Sequence, residues 1–479
     1  MKEKITAVVF DMDGVLFDTE RICMEAWREI AAEQKIDNIE KAVLGCVGLN
    51  RTDTRAFFER EYGADFDYDG YHDACSARFH EKIARFGLPI KTGVKEILTF
   101  LKENGYKIGL ASSTSRCGVL GHVNRAGITD FFEVIVGGDM VEHSKPKPDI
   151  YLLACEQLGV KPENAIAIED SPNGIRSAYA AGLKAVMVPD MIAPTPEIEA
   201  LLYRRFDSLL GVRAMLAEQK MRQRWLCQLC EDYSCNMEQI LSTENVLTQK
   251  AYRPDRRIFR GDDCFLKLLI VNGKLVVSAD DEKFLEENRE FFENANAAWF
   301  FEPDSIRDLE KRLAPYGHEI ADYHHFYLPG AVNLPGEVCG KATSADTGTE
   351  KEKYLHWYFE EELEQFRGDA RFKEALSFVR ESPDMLAVTW EENGEIFGMA
   401  GASADAKDLW QIGINVLPAG EHRGLGTLLV TRLKDKILEM GKVPFYGTAE
   451  SHIRSQRVAV GSGFMPAWAE LYTRKMAEK

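Results

Sequence analysis

Short apolar runs alternate with amphipathic stretches through the first part of the chain. Ala7–Phe10, Lys107–Ala111, Val134–Val136, Ala165–Ile168 and Ala185–Val188 are continuous and apolar, as strands buried on both faces are. Helical periodicity fills Gly93–Asn104, Pro148–Leu158 and Gly174–Ala181 between them. This alternation predicts an α/β fold with a parallel, doubly wound sheet over residues 1–218. A helical stretch over about 19–90 is too long for a simple crossover and predicts an inserted cap. A charged helix is expected from about Glu197 to Arg224.

The pattern then changes. Residues 219–335 open with the end of that helix. A hairpin signal follows: Cys264–Val271, Asn272-Gly273, Lys274–Ser278. Amphipathic helices are expected near Asp281–Asn294 and Ser305–Ala314. Gly336–Glu350 is rich in Gly, Ser, Thr and Ala and reads as a linker. Over 351–479 the strands Met385–Trp390, Ile396–Ala402, Leu409–Val416, Val443–Thr448 and Ala467–Thr473 alternate with the helices Gly424–Met440 and His452–Gly461, an α+β pattern. Tyr358–Glu364 reads as one more amphipathic helix with an acidic face.

Composition narrows the chemistry. The 479 residues carry 59 Lys+Arg against 77 Asp+Glu, a net charge of −18. That balance argues against nucleic acid as a partner, because phosphate backbones need a cationic surplus. No apolar run is long enough for a membrane span, and the N-terminus has no long apolar segment, so a cytoplasmic protein is expected. The 10 cysteines are scattered among apolar neighbours and read as reduced thiols.

Asp11-Met12-Asp13-Gly14 follows directly on the strand Ala7–Phe10. In an open α/β sheet, chemistry collects at the carboxyl ends of strands. There Asp11 can serve as nucleophile and metal ligand. Asp13 can offer its carbonyl to the metal and its side chain as general acid/base. A turn or capping pair is the plain alternative. Ser112 closes the strand Lys107–Ala111 and can hold a phosphate oxygen, or cap a helix. Lys145, in Ser144-Lys145-Pro146-Lys147-Pro148, can neutralise phosphate and Asp11, and Lys147 competes for that role. Glu169-Asp170 ends another apolar strand, where paired acids call for a cation such as Mg²⁺.

These motifs, in this order, resemble the haloacid dehalogenase superfamily of phosphohydrolases, and its capped sugar-phosphatase and β-phosphoglucomutase branch in particular. The resemblance covers about residues 1–218 and rests on Asp11-Met12-Asp13-Gly14-Val15-Leu16-Phe17-Asp18-Thr19-Glu20, Ala111-Ser112-Ser113, Lys145-Pro146-x-Pro148-Asp149 and Glu169-Asp170-Ser171-x-x-Gly174. It implies a Rossmann-like core and an aspartyl-phosphate on Asp11. Asp13 would serve as acid/base, Ser112, Ser113 and Lys145 would hold phosphate, and Asp11, Asp13, Glu169 and Asp170 would form the Mg²⁺ site. Mutases of this branch carry a His four residues after the Thr of the first motif. Cys23 stands there, which favours phosphatase over mutase. Arg51, His80 and Lys82 are candidate cap contacts to substrate, with solvated helix charges as the alternative.

Gly420-Glu421-His422-Arg423-Gly424-Leu425-Gly426-Thr427 joins a strand to a periodic helix. Unpaired N–H groups at such a turn suit a pyrophosphate. With the flanking strands and Gly463-Phe464, residues 351–479 resemble the GNAT acyltransferases. The resemblance implies that the Val416–Leu417 edge pairs with the pantetheine of acetyl-CoA, the acyl donor. The amides of His422, Arg423, Gly424, Leu425, Gly426 and Thr427 would hold its pyrophosphate. Glu421 and Ala459 depart from the family, Ala459 standing where a Tyr often serves as acid. An acyl-CoA-sensing module without catalysis is therefore an alternative. Glu391, Glu392 and Glu395 lie near the sheet as candidate bases. Cys227-x-x-Cys230, with Cys235, has no second pair or His at zinc-finger spacing and reads as packed thiols. His324-His325 reads as strand packing. The chain is thus expected to be a bifunctional enzyme acting on a small phosphorylated metabolite and an acyl-CoA.

Overall fold

The computed structural model describes residues 5–46, 51–258, 264–330 and 352–477. Gly336–Glu350, read as a linker, lies outside the described residues. The chain divides into two compact units, Met1–Met215 and Leu216–Lys479. No helix of the described residues is long and apolar enough to cross a membrane.

In the first unit, strand β1 (Ala7–Phe10) is followed by α1 (Thr19–Gln34), α2 (Ile39–Cys46), α3 (Arg51–Tyr62) and α4 (Tyr68–Phe86). These four helices stand between β1 and the next core helix, where an inserted cap is expected. Their core gathers on the fully buried Phe58, whose ring lies 5.4–6.0 Å from those of Trp27, Tyr62, Phe66, Tyr68 and Tyr71. The chain then alternates α5 (Val94–Glu103), β2 (Lys107–Ser112), α6 (Arg116–Ala126), β3 (Val134–Gly137), α7 (Asp149–Leu158), β4 (Ala165–Glu169), α8 (Pro172–Ala180) and β5 (Lys184–Met187). All sheet neighbours are parallel, in the order β3-β2-β1-β4-β5-β6, where β6 is the short edge strand Arg204–Arg205. The order reverses at β1, which has β2 on one side and β4 on the other. In open α/β sheets ligands bind at such a point, above the carboxyl ends of the strands.

The charged helix expected over 197–224 is corrected. It is broken into α9 (Pro196–Glu199), β6 (Arg204–Arg205) and α10 (Leu209–Asp232). Leu201 and Leu202 pack on the core between these pieces, and Arg204–Arg205 adds an edge to β5. Tertiary packing here overrides local charge periodicity.

In the second unit, α11 (Met237–Leu241), β7 (Val246–Gln249), β8 (Leu266–Val271), β9 (Lys274–Ala279), α12 (Glu282–Glu287), α13 (Arg289–Glu293), α14 (Pro303–Leu313) and β10 (His318–Pro329) come first. Asn272 and Gly273 take φ of 51° and 77°, the left-handed pair a two-residue hairpin requires. The helix expected over 281–294 is interrupted at Asn288, whose amide bonds back to the Phe284 carbonyl at 2.8 Å. β11 (Leu355–Phe359), β12 (Asp384–Glu392), β13 (Glu395–Ala404), β14 (Leu409–Val416), α15 (Leu425–Glu439), β15 (Val443–Thr448), α16 (Ile453–Gly461) and β16 (Phe464–Lys475) complete it. The helix expected over 358–364 is corrected as well: Tyr358–Phe359 end β11, paired with β12, and Glu360–Phe366 form a 3₁₀ turn.

All ten strands share one mixed sheet, β11-β12-β13-β14-β15-β10-β16-β8-β9-β7. The strands of 219–335 and of 351–479 are therefore continuous. β10 lies between β15 and β16, with His325 opposite Thr448 on one side and Ala469 on the other. His324-His325 is in a strand, as expected.

Candidate active site

Asp11 leaves β1 with its N–H bonded to the Ile168 carbonyl of β4 at 2.9 Å. Lys145 Nζ donates to Asp11 Oδ1 at 2.5 Å, to Glu169 Oε1 at 2.7 Å and to the Ala111 carbonyl at 3.1 Å. One lysine thus ties together the ends of β1, β2 and β4. Lys147, its rival in the sequence, is exposed and contributes its backbone carbonyl to Ser177. Asp11, Glu169 and Asp170 each offer a carboxylate oxygen within 4.8 Å of the others.

Two glycines make room for these acids. A Cβ on Gly14, which sits at φ 74°, would lie 2.1 Å from Asp170 Oδ2. One on Gly174 would lie 1.9 Å from the Glu169 carboxyl carbon. Ser171 caps α8 through Gly174 N–H at 3.1 Å, and Pro172 follows at the first helical position. The acid pair is therefore held by the turn from β4 into α8.

Burial raises the Asp11 carboxyl to about 7, against the pull of Lys145. Burial, with Asp11 and Glu169 beside it, raises Asp170 to about 9. Burial opposes the Lys145 ammonium, but Asp11 and Glu169 outweigh it and hold the lysine charged. Acids so raised, facing one shared cation, are short of positive charge, as the residues of a metal site are.

Asp13 is raised by burial. It accepts from Thr114 Oγ1 at 3.3 Å. Ser112 is fully buried and its Oγ accepts from Thr114 N–H at 3.1 Å. Ser113 is exposed. Thr114 and Tyr151 are additions that sequence reading missed. Tyr151 donates to Glu169 Oε1 at 2.6 Å from α7. A buried hydroxyl inside an apolar helical pattern was its one signal.

Arg51 begins α3, but its side chain lies outside the described residues. Lys82 is spent within the cap, bonded to Glu29 at 2.6 Å and Glu25 at 3.2 Å. His80 is exposed. Cys23 is half-buried and its thiol is pushed up to about 11, chiefly by burial. A cleft lined by Asp18, Glu20, Arg21, Met24, Asp190 and Met191 opens beside α1.

In the second unit, β14 and β15 run parallel and pair from Leu409↔Val443 only to Gln411↔Phe445. Val416 pairs with Gly398 on the β13 side, and Leu417 N–H bonds to the Phe397 carbonyl at 2.9 Å. The glycine loop then enters α15 through Gly424 at φ 74°, with His422 at φ 61°. Leu425 is buried, while His422, Arg423 and Gly424 are exposed and Gly426 and Thr427 half-buried. Arg423 pairs with Glu392, which also accepts from Trp390 Nε1 at 2.7 Å. Glu391 accepts from Tyr358 and Thr389. Two of the three candidate bases are thus already engaged.

Residues 8–188 match the haloacid dehalogenase-like hydrolase family, and residues 350–464 match the acetyltransferase (GNAT) family. YhcW of Bacillus subtilis (strain 168) is 36% identical over 208 residues, which is 43% of this chain and 91% of that protein. A phosphorylated carbohydrates phosphatase of Thermotoga maritima is 34% identical over 183 residues, 38% of this chain and 83% of that protein. The crystal structure of CbbY from Rhodobacter sphaeroides in complex with phosphate aligns at 32% identity and a TM-score of 0.35, covering 43% of this chain and 95% of that one. The chain belongs to the haloacid dehalogenase-like hydrolases and carries a GNAT-family acetyltransferase domain later in its sequence.

Proposed function

We propose that residues 1–218 form a phosphatase domain that hydrolyses a small phosphorylated metabolite, a sugar or polyol phosphate, through an aspartyl-phosphate on Asp11. The carrying observation is the Asp11–Lys145–Glu169 contact with Asp170 alongside. The Thermotoga maritima relative, a phosphatase of phosphorylated carbohydrates by name, supports the substrate class. Asp11 attacks phosphorus while the ester oxygen leaves, taking a proton from Asp13. Asp13 then draws a proton from water, the water oxygen bonds to phosphorus, and the Asp11 O–P bond breaks to release inorganic phosphate. Raised by burial, Asp13 suits the first of these tasks. Lys145 orients Asp11, and Ser112, with Ser113 beside it, holds the phosphate.

The acids fit Mg²⁺: they are oxygen donors, clustered and short of positive charge. Asp11, Glu169 and Asp170, with the Asp13 carbonyl, would hold it. When bound it supplies Lewis-acid polarisation of phosphoryl oxygens. Phosphate release should vanish on chelation and return with Mg²⁺ across a panel of sugar and polyol phosphates. Release unaffected by chelation would contradict the metal assignment.

Cys23 bears on the β-phosphoglucomutase reading. Its thiol stays protonated at neutral pH and offers no imidazole to position the acid/base. Conversion of β-glucose 1-phosphate to glucose 6-phosphate without phosphate release would establish the mutase instead. For residues 351–479 we propose acetyl-CoA as acyl donor, held by the Val416–Leu417 edge and the His422–Thr427 amides. The parting of β14 from β15 after Gln411 supports it. Calorimetry with acetyl-CoA tests this, and no binding at millimolar ligand would overturn it. Binding without transfer to any amine would favour the sensing module.

A further inference from the structure

Cys227 and Cys230 lie one turn apart near the end of α10. Spacing of three places both thiols on one helix face. The chain turns back through Cys235 into α11, whose first residue is Met237. There the Met237 thioether closes on both thiols. Its Sδ lies 4.0 Å from Cys227 Sγ and 3.9 Å from Cys230 Sγ. Cys230 and Cys235 are buried and Cys227 is exposed; all three are free of disulfides.

Three sulfurs at about 2.3 Å around one ion in a plane stand about 4.0 Å apart. Two edges of that triangle are in place here. Among the described residues, three His, Cys, Asp or Glu ligand atoms approach within 4.8 Å only at Asp11, Glu169 and Asp170. The thiols are therefore not gathered by themselves; the thioether links them. That decides the class of ion. Zn²⁺ takes thiolate, imidazole and carboxylate, whereas thiolate with thioether is a soft set that suits copper(I).

We propose that Cys227, Cys230 and Met237 bind one soft monovalent cation of the copper(I) class at the corner between α10 and α11. Cys227 gives the entry from solvent, and each ligating thiol releases a proton to water on binding. Arg253 braces the corner, its Nη1 donating to the carbonyls of Cys230 at 3.2 Å and Cys235 at 3.3 Å.

The test is a copper(I) titration of the full chain under anaerobic, reducing conditions. It is read by competition with a chromogenic copper(I) chelator and by near-ultraviolet thiolate-to-copper absorption. One ion per chain is expected. Met237→Leu, close in volume, should weaken it about tenfold or more with circular dichroism unchanged. Cys227→Ser with Cys230→Ser should abolish it. No retention against the chelator, undiminished binding in the double variant, or stronger binding of Zn²⁺ than of copper(I) would each overturn the proposal.

Discussion

Glu169 is fully buried, and its carboxylate is kept by three donors: Lys145, Tyr151 and Ser171. A buried acceptor that loses a donor costs about 1–3 kcal/mol. Tyr151→Phe should therefore lower the stability of the first unit by about that much, measured by urea unfolding. A half-buried acid gives a pH signature in the other unit. Asp405 is raised to about 6 by burial, against the Ser403 hydrogen bond and the Arg257 charge. Its folded value lies above the unfolded one, so the folded state binds the extra proton between about pH 4 and 6. Stability from this group is full below pH 4 and is lost as pH rises through 6. Asp405→Asn, which keeps the Ser403 bond at 2.7 Å, should flatten that fall and stabilise the unit at pH 7.

At the scale of elements, the turn from β4 into α8 sets the acid pair. Gly174→Ala would drive a methyl into the Glu169 carboxylate and swing it from Lys145. A displacement of about 1 Å at such a site costs on the order of 100-fold in turnover. That drop in kcat, with circular dichroism unchanged, is expected. Strands of the first unit were legible because burial on both faces leaves continuous apolar runs, and the acids stood at their ends in the letters. Thr114 and Tyr151 were not, since a hydroxyl's partner depends on which strand ends meet. The break of the charged helix at 200–208 was hidden for a related reason. Arg204 and Arg205 look helical by charge and become strand through their pairing with β5.

At the scale of the whole chain, 219–335 and 351–479 build one sheet; the strand–helix order of the middle block suggests an accessory half of a larger acyltransferase module, but not which strands meet. A strand's own pattern carries its burial and not the identity of its neighbour. β10 and β16, 12 residues each, meet along their full length although His318 and Lys475, which pair, are far apart in the chain. Expression of 351–479 alone strips β10 from β15 and leaves β16 without either neighbour, β10 or β8, so that unpaired edges are exposed. That fragment should aggregate, while 216–479 should unfold cooperatively in urea. Equal solubility and cooperativity of the two would refute the shared sheet as the folding unit.

The phosphatase account rests on Asp11 as the group that takes the phosphoryl. The most direct test compares phosphate release from sugar and polyol phosphates by the native chain and by Asp11→Asn, with Mg²⁺ present. The account predicts release by the native chain and none above background from the variant, whose fold is retained. Release by Asp11→Asn at a rate near the native one would contradict it.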